Sequence, residues 1–378
     1  MIRVCTEPVQ GSEWLQRYRG ASPTFCCVLG FTDTGLYPGI SAAGRTIEDR
    51  KWTAIADMEF LVNGPGQRPQ HRLPPLTAGA SPAIISRAIA AQMGWPIWIL
   101  NAGLPVRPSF PCIDLGGAPA RCLSTGVALE MRTVLHLFQA GLSWGARLGQ
   151  QSQEYVILSE CVVGGTTTAL GVLAGLGYPA ANKVNSSHRY CNHLQKWRLV
   201  RQGLDTFELY QSHPEIPEPF RVVAALGDPM QIAVAGLALA LSQTRGVLLA
   251  GGTQMLAVYA LILAINQAMD LDCNLDQIVV GTTPWVVDDP SGDTVGLAKS
   301  IGHVALMTSN LSFHQSRFPE LRAYESGYVK EGVGAGGCAI AAHLHQNWGS
   351  QDILQATEAS LRQYQQHDQP QSGCLLTR

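Results

Sequence analysis

Charged residues are scarce in this chain. Lys and Arg number 26 and Asp and Glu 28 among 378 residues, so that 14% are charged, whereas soluble domains carry about 25%. Because 46% of the residues are hydrophobic, the chain can bury a large core, which excludes intrinsic disorder. The formal net charge of -2 gives no field of one sign to attract a nucleic acid or an anionic membrane. We therefore expect a small-molecule ligand.

Several familiar site motifs are missing. The ten cysteines include no C-x-x-C pair, and the adjacent Cys26 and Cys27 are a poor arrangement for a zinc site or a disulfide framework. Reduced, mostly buried thiols are the better interpretation. There is no G-x-S-x-G nucleophile turn. The N-terminus carries charges where an export signal needs a continuous apolar stretch, so we expect a cytoplasmic protein.

Two runs, residues 161–182 and 246–269, contain no charged residue and are long enough to cross a membrane. Each contains a glycine pair and several Thr or Gln residues beside a short β-rich segment. This pattern favours a buried strand, a tight turn and a helix over a membrane span.

The same strand, glycine turn and helix pattern recurs along the chain. It is clearest in residues 156–177 and 246–265, and residues 222–243 and 26–35 look like further examples. In the third, Gly227 and Asp228 close a strand-like run, and Pro229 suits a first helical turn. Fully apolar strands that alternate with helices predict an α/β fold with a doubly wound, mostly parallel, Rossmann-like sheet. The glycine turns would then meet at the carboxyl ends of the strands, where such sheets bind ligands.

The length exceeds the roughly 250 to 300 residues at which a single core stops growing. We expect an α/β domain over residues 1–345 with a smaller, mainly helical lobe formed from the chain ends. Residues 346–378 would be a C-terminal helix and a mobile tail.

Residues 160–168, ECVVGGTTT, are the first candidate site. A glycine pair lets backbone amides approach a phosphate, and a helix N-terminus adds a favourable field. The spacing fits neither G-x-x-x-x-G-K-[ST] nor G-x-G-x-x-G, which argues against an NTPase or a dinucleotide enzyme. The alternative is a tight turn before a capped helix.

Two further candidates are a cation and a carboxylate. Lys196 belongs to the densest positive cluster of the chain, with Arg189, Arg198 and Arg201, and one of these side chains would reach a phosphate unless the cluster is a solvated helix face. Glu331 precedes a glycine-rich turn, where loss of hydration would raise its pKa and suit it to general-base catalysis. An acidic residue at a helix start is the alternative.

Weaker candidates complete the search. Asp288, Asp289 and Asp293 would hold Mg²⁺ or form a simple turn. The histidines lack the spacing of a metal site and are interpreted as structural.

Taken in order, these motifs resemble the nicotinate-nucleotide:dimethylbenzimidazole phosphoribosyltransferase family of cobamide assembly, and more closely its archaeal and cyanobacterial branch. The family's G-E-M-G-I-G-N-T-T loop is similar to residues 159–168, and its A-R-K helix is similar to residues 194–196. Its V-G-G-F-[ED]-I-A and L-L-D-G-F-I-S-T turns are similar to residues 226–233 and 248–255, and its E-G-[ST]-G-A signature to residues 331–335. Ala250 replaces an aspartate of the family, and the N-terminal P-G-S-L-G-R-L-E segment has no counterpart.

The resemblance implies phosphoribosyl transfer from nicotinate mononucleotide to a benzimidazole or purine base, without metal or cofactor, by a homodimer. The residues that it implies for catalysis are Glu331 and Glu160. Those implied for phosphate and ribose binding are Gly164, Gly165, Thr166, Thr167, Lys196, Gly251, Gly252, Thr253 and Gln254. Those that would line the crevice are Gly227, Asp228, Gly332 and Gly334. One alternative is a nucleotide-binding relative that has no transfer activity or that acts on another acceptor base. The other is a Mg²⁺-dependent phosphoribosyltransferase that uses the acidic loop at residues 288–293.

Overall fold

A computed structural model describes residues 2–151, 153–209, 218–271 and 273–368. Within these residues, eight strands form one sheet in the order β1-β8-β7-β6-β5-β2-β3-β4. All neighbours are parallel except β1 and β8. The strands are β1 (Ile2–Val4), β2 (Thr24–Gly30), β3 (Ile97–Gly103), β4 (Ile113–Asp114), β5 (Tyr155–Cys161), β6 (Gly246–Ala250), β7 (Ile278–Thr282) and β8 (Leu306–Ser309).

Helices cover both faces of this sheet. The described residues form fourteen: α1 (Pro8–Arg17), α2 (Ile47–Asn63), α3 (Ala83–Met93), α4 (Met131–Leu148), α5 (Gly165–Gly175), α6 (His193–Leu209), α7 (Glu218–Leu226), α8 (Pro229–Ser242), α9 (Gly252–Met269), α10 (Pro284–Val287), α11 (Thr294–Ile301), α12 (Pro319–Glu325), α13 (Ala335–Gln346) and α14 (Ser350–Asp368). The predicted α/β fold with a mostly parallel sheet is confirmed.

The core has two parts, one on each face of the sheet. Successive side chains of a strand point to opposite faces, and β2 follows this rule: Cys26 and Val28 join one buried cluster, and Cys27 and Leu29 join the other. Helices α4, α5, α8 and α9 contribute to the first cluster, and α2, α3, α13 and α14 to the second. This burial on both sides explains why the central strands read as continuous apolar runs.

The order of the strands reverses at the centre of the sheet. From β2 the chain proceeds through β3 to β4 at one edge, whereas from β5 it proceeds through β6 and β7 to β8 toward the other. Strands β2 and β5 are neighbours, so the switch point lies between them. A crevice forms at the carboxyl ends of the strands at such a point.

Both uncharged runs contain the predicted strand, turn and helix. Residues 246–269 form β6, a turn at Gly251 and helix α9, and residues 161–182 include the end of β5 and helix α5. Among the described residues, α9 alone is long and apolar enough to cross a membrane, and 61% of it is buried inside the protein. Its apolar composition is therefore explained by its place in the core.

Two local expectations were wrong. The apolar run at residues 222–226 is the end of helix α7 and not a strand; its side chains are buried on all sides, and periodicity cannot distinguish a strand from a helix in that environment. The turn after β2 leads into a short 3₁₀ helix, Asp33–Leu36, and not an α-helix. Pro229 does open helix α8, as predicted.

Helices from the two chain ends pack together. Helix α3 contacts α2, α13 and α14, and Ile353 and Leu361 of α14 belong to the same buried cluster as strand residues such as Ile157. The tail predicted to be mobile lies outside the described residues from residue 369 onward.

Candidate active site

A cavity opens at the carboxyl ends of the central strands, beside the switch point. Its volume is about 370 Å³, and the turns after β5 and β6 form part of its wall. Further parts of the wall come from helix α2, from Val286 of α10 and from loops at residues 39–45, 74–82, 185–189 and 328–333. Because this is the place where open parallel sheets bind ligands, the cavity is the candidate active site.

The turn after β5 requires its glycine pair. Gly164 has a φ of 88°, and a Cβ atom at Gly165 would lie 1.7 Å from Oε1 of Gln254. Both glycines and Thr166 line the cavity at the start of α5. The Gly165 amide donates to the Val162 carbonyl oxygen at 3.1 Å, so the amides of Gly164 and Thr166 are the ones that would favour an anion here. Thr167 does not line it: the residue is fully buried, and its hydroxyl has no hydrogen-bond partner among the described residues.

Glu160, at the end of β5, lines the cavity with a side chain held from two directions. Its Oε2 accepts a hydrogen bond from the Val162 amide at 3.0 Å, and its Oε1 accepts one from Nε2 of Gln254 at 2.7 Å. Burial raises the pKa of Glu160 to about 8, and the nearby carboxylate of Asp228 adds to the shift. Glu160 is therefore protonated at neutral pH in the unliganded protein.

A protonated Glu160 needs an acceptor, and Gln254 supplies one. The Oε1 atom of Gln254 has no hydrogen-bond partner among the described residues. Because the two ends of an amide are assigned only by their partners, turning this amide over puts its oxygen against Glu160. The hydroxyl of the acid then donates to the amide oxygen. The expected second carboxylate beside the ribose is thus a neutral acid until a cation approaches it.

The raised pKa of Glu160 makes stability depend on pH. A glutamate ionises near pH 4.5 when unfolded, so the folded state binds the extra proton between that value and about pH 8, and stability falls as the pH rises through this range. We expect Glu160→Gln to match the wild type near pH 5 and to exceed it at pH 8 by about 2–4 kcal/mol. Urea unfolding at both pH values measures this. An equal difference at the two pH values would contradict the assigned proton.

The turn after β6 completes the same wall. Gly251, Gly252, Thr253 and Gln254 all line the cavity, and Gly251 has a φ of 153°, in the region that favours glycine. This backbone carries Gln254 toward Glu160 on the neighbouring strand. The predicted convergence of the two turns therefore results from the pairing of β5 with β6.

Glu331 faces the cavity with both carboxylate oxygens fixed. Its Oε1 accepts hydrogen bonds from the amides of Gly332 and Gly336, and its Oε2 accepts from the Thr282 hydroxyl and the Thr283 amide, at 2.9 to 3.2 Å. Burial raises the pKa of Glu331 above its usual value, although these donors oppose the shift. The result is a rigid, dehydrated carboxylate that is suited to accept a proton.

The segment that carries Glu331 has an unusual backbone. Val329, Lys330 and Val333 have φ values of 65°, 69° and 51°, which residues with a side chain rarely adopt. Two contacts hold Lys330 in place: the Thr283 hydroxyl donates to its carbonyl oxygen, and its ammonium lies 2.6 Å from the Asp289 carboxylate. Both charged side chains are almost completely buried. The strain is therefore maintained by an internal ion pair next to the candidate base.

Lys196 requires a correction. The residue is fully buried, and its ammonium donates to the carbonyl oxygens of Val184 and Asn185 at 2.6 and 2.8 Å, so it does not line the cavity. Burial lowers the pKa of Lys196 to about 7. It shapes the loop at residues 185–189 from behind. Within the predicted positive cluster it is Arg189 that lines the cavity.

Gly227, Asp228 and Gly334 also lie outside the cavity wall. Asp228 caps helix α8 by accepting hydrogen bonds from two amides of its first turn, and it accepts a third from the Thr168 hydroxyl. A Cβ atom at Gly334 would meet Ser159 at 2.6 Å, which places this glycine beneath the site. The predicted residues that do line the cavity are Glu160, Gly164, Gly165, Thr166, Gly251, Gly252, Thr253, Gln254, Glu331 and Gly332.

Helix α2 supplies three cavity residues that the sequence did not reveal, Arg50, Thr53 and Asp57. Asp57 is buried, accepts hydrogen bonds from the Ser81 hydroxyl at 2.6 Å and from the Cys161 thiol, and has its pKa raised to about 6 by burial. Arg50 lies in the first turns of the same helix. The capping box of Thr46 and Asp49 indicates where the helix begins, but no local pattern shows that the helix faces a ligand.

The acidic loop at residues 288–293 does not assemble a cation site. Asp288 pairs with Arg3, Asp289 pairs with Lys330, and Asp293 caps helix α11, and none of the three lines the cavity. Across the described part of the chain, no group of three His, Cys, Asp or Glu residues is placed to hold a metal. His188, interpreted as structural, does line the cavity.

The geometry and the comparisons with known proteins agree on the class: the chain is a phosphoribosyltransferase. Residues 79–273, just over half of the chain, match the profile of the DBI_PRT phosphoribosyltransferase family. The chain belongs to this family, the nicotinate-nucleotide:dimethylbenzimidazole phosphoribosyltransferases, as the order of its motifs predicted.

Its relatives are cyanobacterial UPF0284 proteins. The protein of Cyanothece sp. is 59% identical over 97% of this chain and 98% of its own length, and that of Trichodesmium erythraeum is 57% identical over 95% and 97%. The fold is similar to that of CobT from Thermus thermophilus, with a TM-score of 0.56 and 17% identity over 91% of this chain and 90% of that one.

Proposed function

We propose that this protein transfers the 5-phosphoribosyl group of nicotinate mononucleotide to a ring nitrogen of a benzimidazole or purine base. The products are an α-ribazole-type 5′-phosphate and nicotinate, and the reaction belongs to the assembly of the cobamide nucleotide loop. The observation that carries the proposal is the presence of Glu331 and the amide-lined turn after β5 in one cavity. This transfer needs a general base and an anion-binding site from the protein.

The reaction requires few functional groups from the protein. A nitrogen of the acceptor base attacks C1′ of the ribose, and the bond from C1′ to the pyridinium nitrogen breaks. The bonding pair stays with nicotinate, whose ring nitrogen becomes neutral. The proton on the acceptor base goes to Glu331, which general-base catalysis requires to be close and partly desolvated. No pyrophosphate leaves, so the step requires no metal ion.

Other cavity residues support this reaction. The N–H groups of Gly164 and Thr166 would bind the 5′-phosphate and so fix the position of C1′. Glu160 would ionise as positive charge develops on the ribose, because a nearby cation lowers the pKa of a carboxyl group. Contacts between the ribose and the turn after β6 would hold the ribose between the ends of β5 and β6.

The decisive experiment measures nicotinate release. The protein is incubated with nicotinate mononucleotide and a panel of benzimidazoles, purines and phenols, and nicotinate is quantified by chromatography. We expect release that depends on the acceptor and an equal amount of base ribotide, without added metal and in the presence of a chelator. Binding of the mononucleotide without any release would identify a non-catalytic relative instead. The acceptor base, the homodimer and the cytoplasmic location stay predictions.

A further inference from the structure

Arg50 is a buried cation that forms no ion pair in the part of the chain that the structure describes, although the charge of Asp49 acts on it from a distance. The residue is 5% exposed and lines the cavity. One guanidinium nitrogen donates to the Ser41 carbonyl oxygen at 3.3 Å, whereas Nε has no hydrogen-bond partner within the described residues. The adjacent carboxylate of Asp49 accepts from the Thr46 amide at the start of the helix and forms no ion pair with Arg50. The arginine is thus available to a ligand.

Such an arginine is costly unless something binds it. A guanidinium stays protonated in proteins, so it cannot escape burial by losing its charge. Buried charges are normally paired, because an isolated one has lost its hydration without compensation. Arg50 lines a cavity that is large enough for a small molecule. An anion bound in this cavity would supply the negatively charged partner that Arg50 lacks among the described residues.

The surroundings favour an anion at this side of the cavity. Arg45, Arg189 and His188 also line it. Burial lowers the pKa of His188, and the charges of Lys196, Lys330 and Arg50 lower it further against its hydrogen bond to Gly39. The loops that carry these residues are joined, since the Ser187 hydroxyl accepts a hydrogen bond from the Ala42 amide at 2.9 Å.

The carboxyl groups of the cavity do not occupy the guanidinium of Arg50. Asp57, Glu160 and Glu331 are the carboxyl groups that line it, and all three have pKa values raised chiefly by burial. In the described structure none of them forms an ion pair with Arg50. Helix α2 therefore presents both Arg50 and Asp57 to the cavity, and the described residues form no ion pair between them.

We infer that Arg50 binds an oxyanion of the nucleotide substrate directly, either its 5′-phosphate or the carboxylate of its pyridine ring. The inference rests on the proposed function for the identity of the substrate. A guanidinium offers two parallel N–H donors, a geometry that suits both anions. The turn at residues 164–166 provides a second, uncharged anion site in the same cavity. Two anion sites suit a substrate that carries an anionic group at each end.

Binding of small anions tests this inference without requiring turnover. Isothermal titration calorimetry of the full chain is performed with inorganic phosphate, nicotinate and neutral nicotinamide as probes. We expect the wild type to bind phosphate or nicotinate, and Arg50→Gln to weaken one of them at least tenfold and leave nicotinamide unaffected. Loss of phosphate binding assigns the 5′-phosphate to Arg50, and loss of nicotinate binding assigns the ring carboxylate.

The matched control is Arg87→Gln. Arg87 is also partly buried, donates to two carbonyl oxygens and has an Nε without a partner among the described residues, but it does not line the cavity. This control variant should bind both anions as the wild type does. Thermal unfolding provides a check on folding: without ligand, Arg50→Gln should melt at or above the wild-type temperature, because it removes an unpaired buried charge. Arg50→Lys retains the charge and should bind with intermediate affinity.

Failure of the inference is distinct from failure of the proposed function. If the wild type binds neither anion, or if Arg50→Gln and Arg50→Lys both bind as tightly as Arg87→Gln, Arg50 is no anion ligand. If binding depends on Arg50 but no nicotinate is released from the mononucleotide with any acceptor, the anion site stands and the transfer reaction is wrong.

Discussion

Glu331→Gln should lower turnover at least a hundredfold while the protein still binds nicotinate mononucleotide. General-base catalysis contributes about 10² to 10⁴ in rate, and an amide cannot accept the proton of the acceptor base. Nucleotide binding should persist, because Glu331 contributes to proton transfer and not to the anion sites. Turnover is measured as nicotinate release at saturating substrate, and binding by calorimetry without acceptor.

This substitution also has a structural cost that must be separated from its chemical effect. Every partner of the Glu331 carboxylate is a donor, so the NH₂ group of a glutamine must face at least one backbone N–H. We expect a loss of about 1–3 kcal/mol in the free energy of unfolding. Assays below the melting temperature of the variant remove this contribution. Glu48→Gln, at an exposed residue, is the control and should match the wild type. Unchanged turnover in folded Glu331→Gln would rule out the assigned base.

Lys330→Met should cause the largest loss of stability, about 3–5 kcal/mol, the amount typical for removing one partner of a buried ion pair. The two side chains are 2% and 3% exposed, so water cannot replace the lost ammonium. Burial alone would raise the pKa of Asp289, but hydrogen bonds from Lys330, Ser291 and Asn185 lower it to about 2. Urea unfolding at pH 7 measures the loss.

Two controls isolate the ion pair. Adding Asp289→Asn to Lys330→Met should recover part of the stability lost by the single change, because the uncompensated charge is then removed. Arg132→Met, which breaks an exposed pair with Glu130, should cost less than about 1 kcal/mol. A loss below that size for Lys330→Met would show that the pair does not support the strained segment.

Local patterns predicted the elements that have a local cause. Gly164 adopts a φ of 88° in its own turn, which favours glycine, and Pro229 opens a helix by its fixed backbone angle. Glu331 was recognised because glycines follow it. These features depend on neighbours in the chain, so the sequence displays them directly.

The errors and omissions concern contacts between distant residues. Lys196 looked available because its positive neighbours suggested an exposed helix face, but its ammonium is bound to backbone carbonyl groups. Asp289 does belong to the predicted turn, since the Gly292 amide donates to its carbonyl oxygen, but its carboxylate also pairs with Lys330, which lies 41 residues away. Arg50 and Asp57 belong to a helix whose sequence does not indicate the face toward the ligand. Only the packing of the whole chain assigns these roles.

The residues of the cavity come from distant parts of the polypeptide, and this determines when the cavity can form during translation. Arg50 comes from near the beginning, Glu160 from the middle and Glu331 from near the end, and strand β1 pairs with β8. Since synthesis proceeds from the N-terminus, the nascent chain contains Arg50 long before it contains Glu331, the candidate base. Until the final segments emerge and dock, strand β1 has no partner and no catalysis can begin. Competence is therefore acquired in one late step of translation and not gradually.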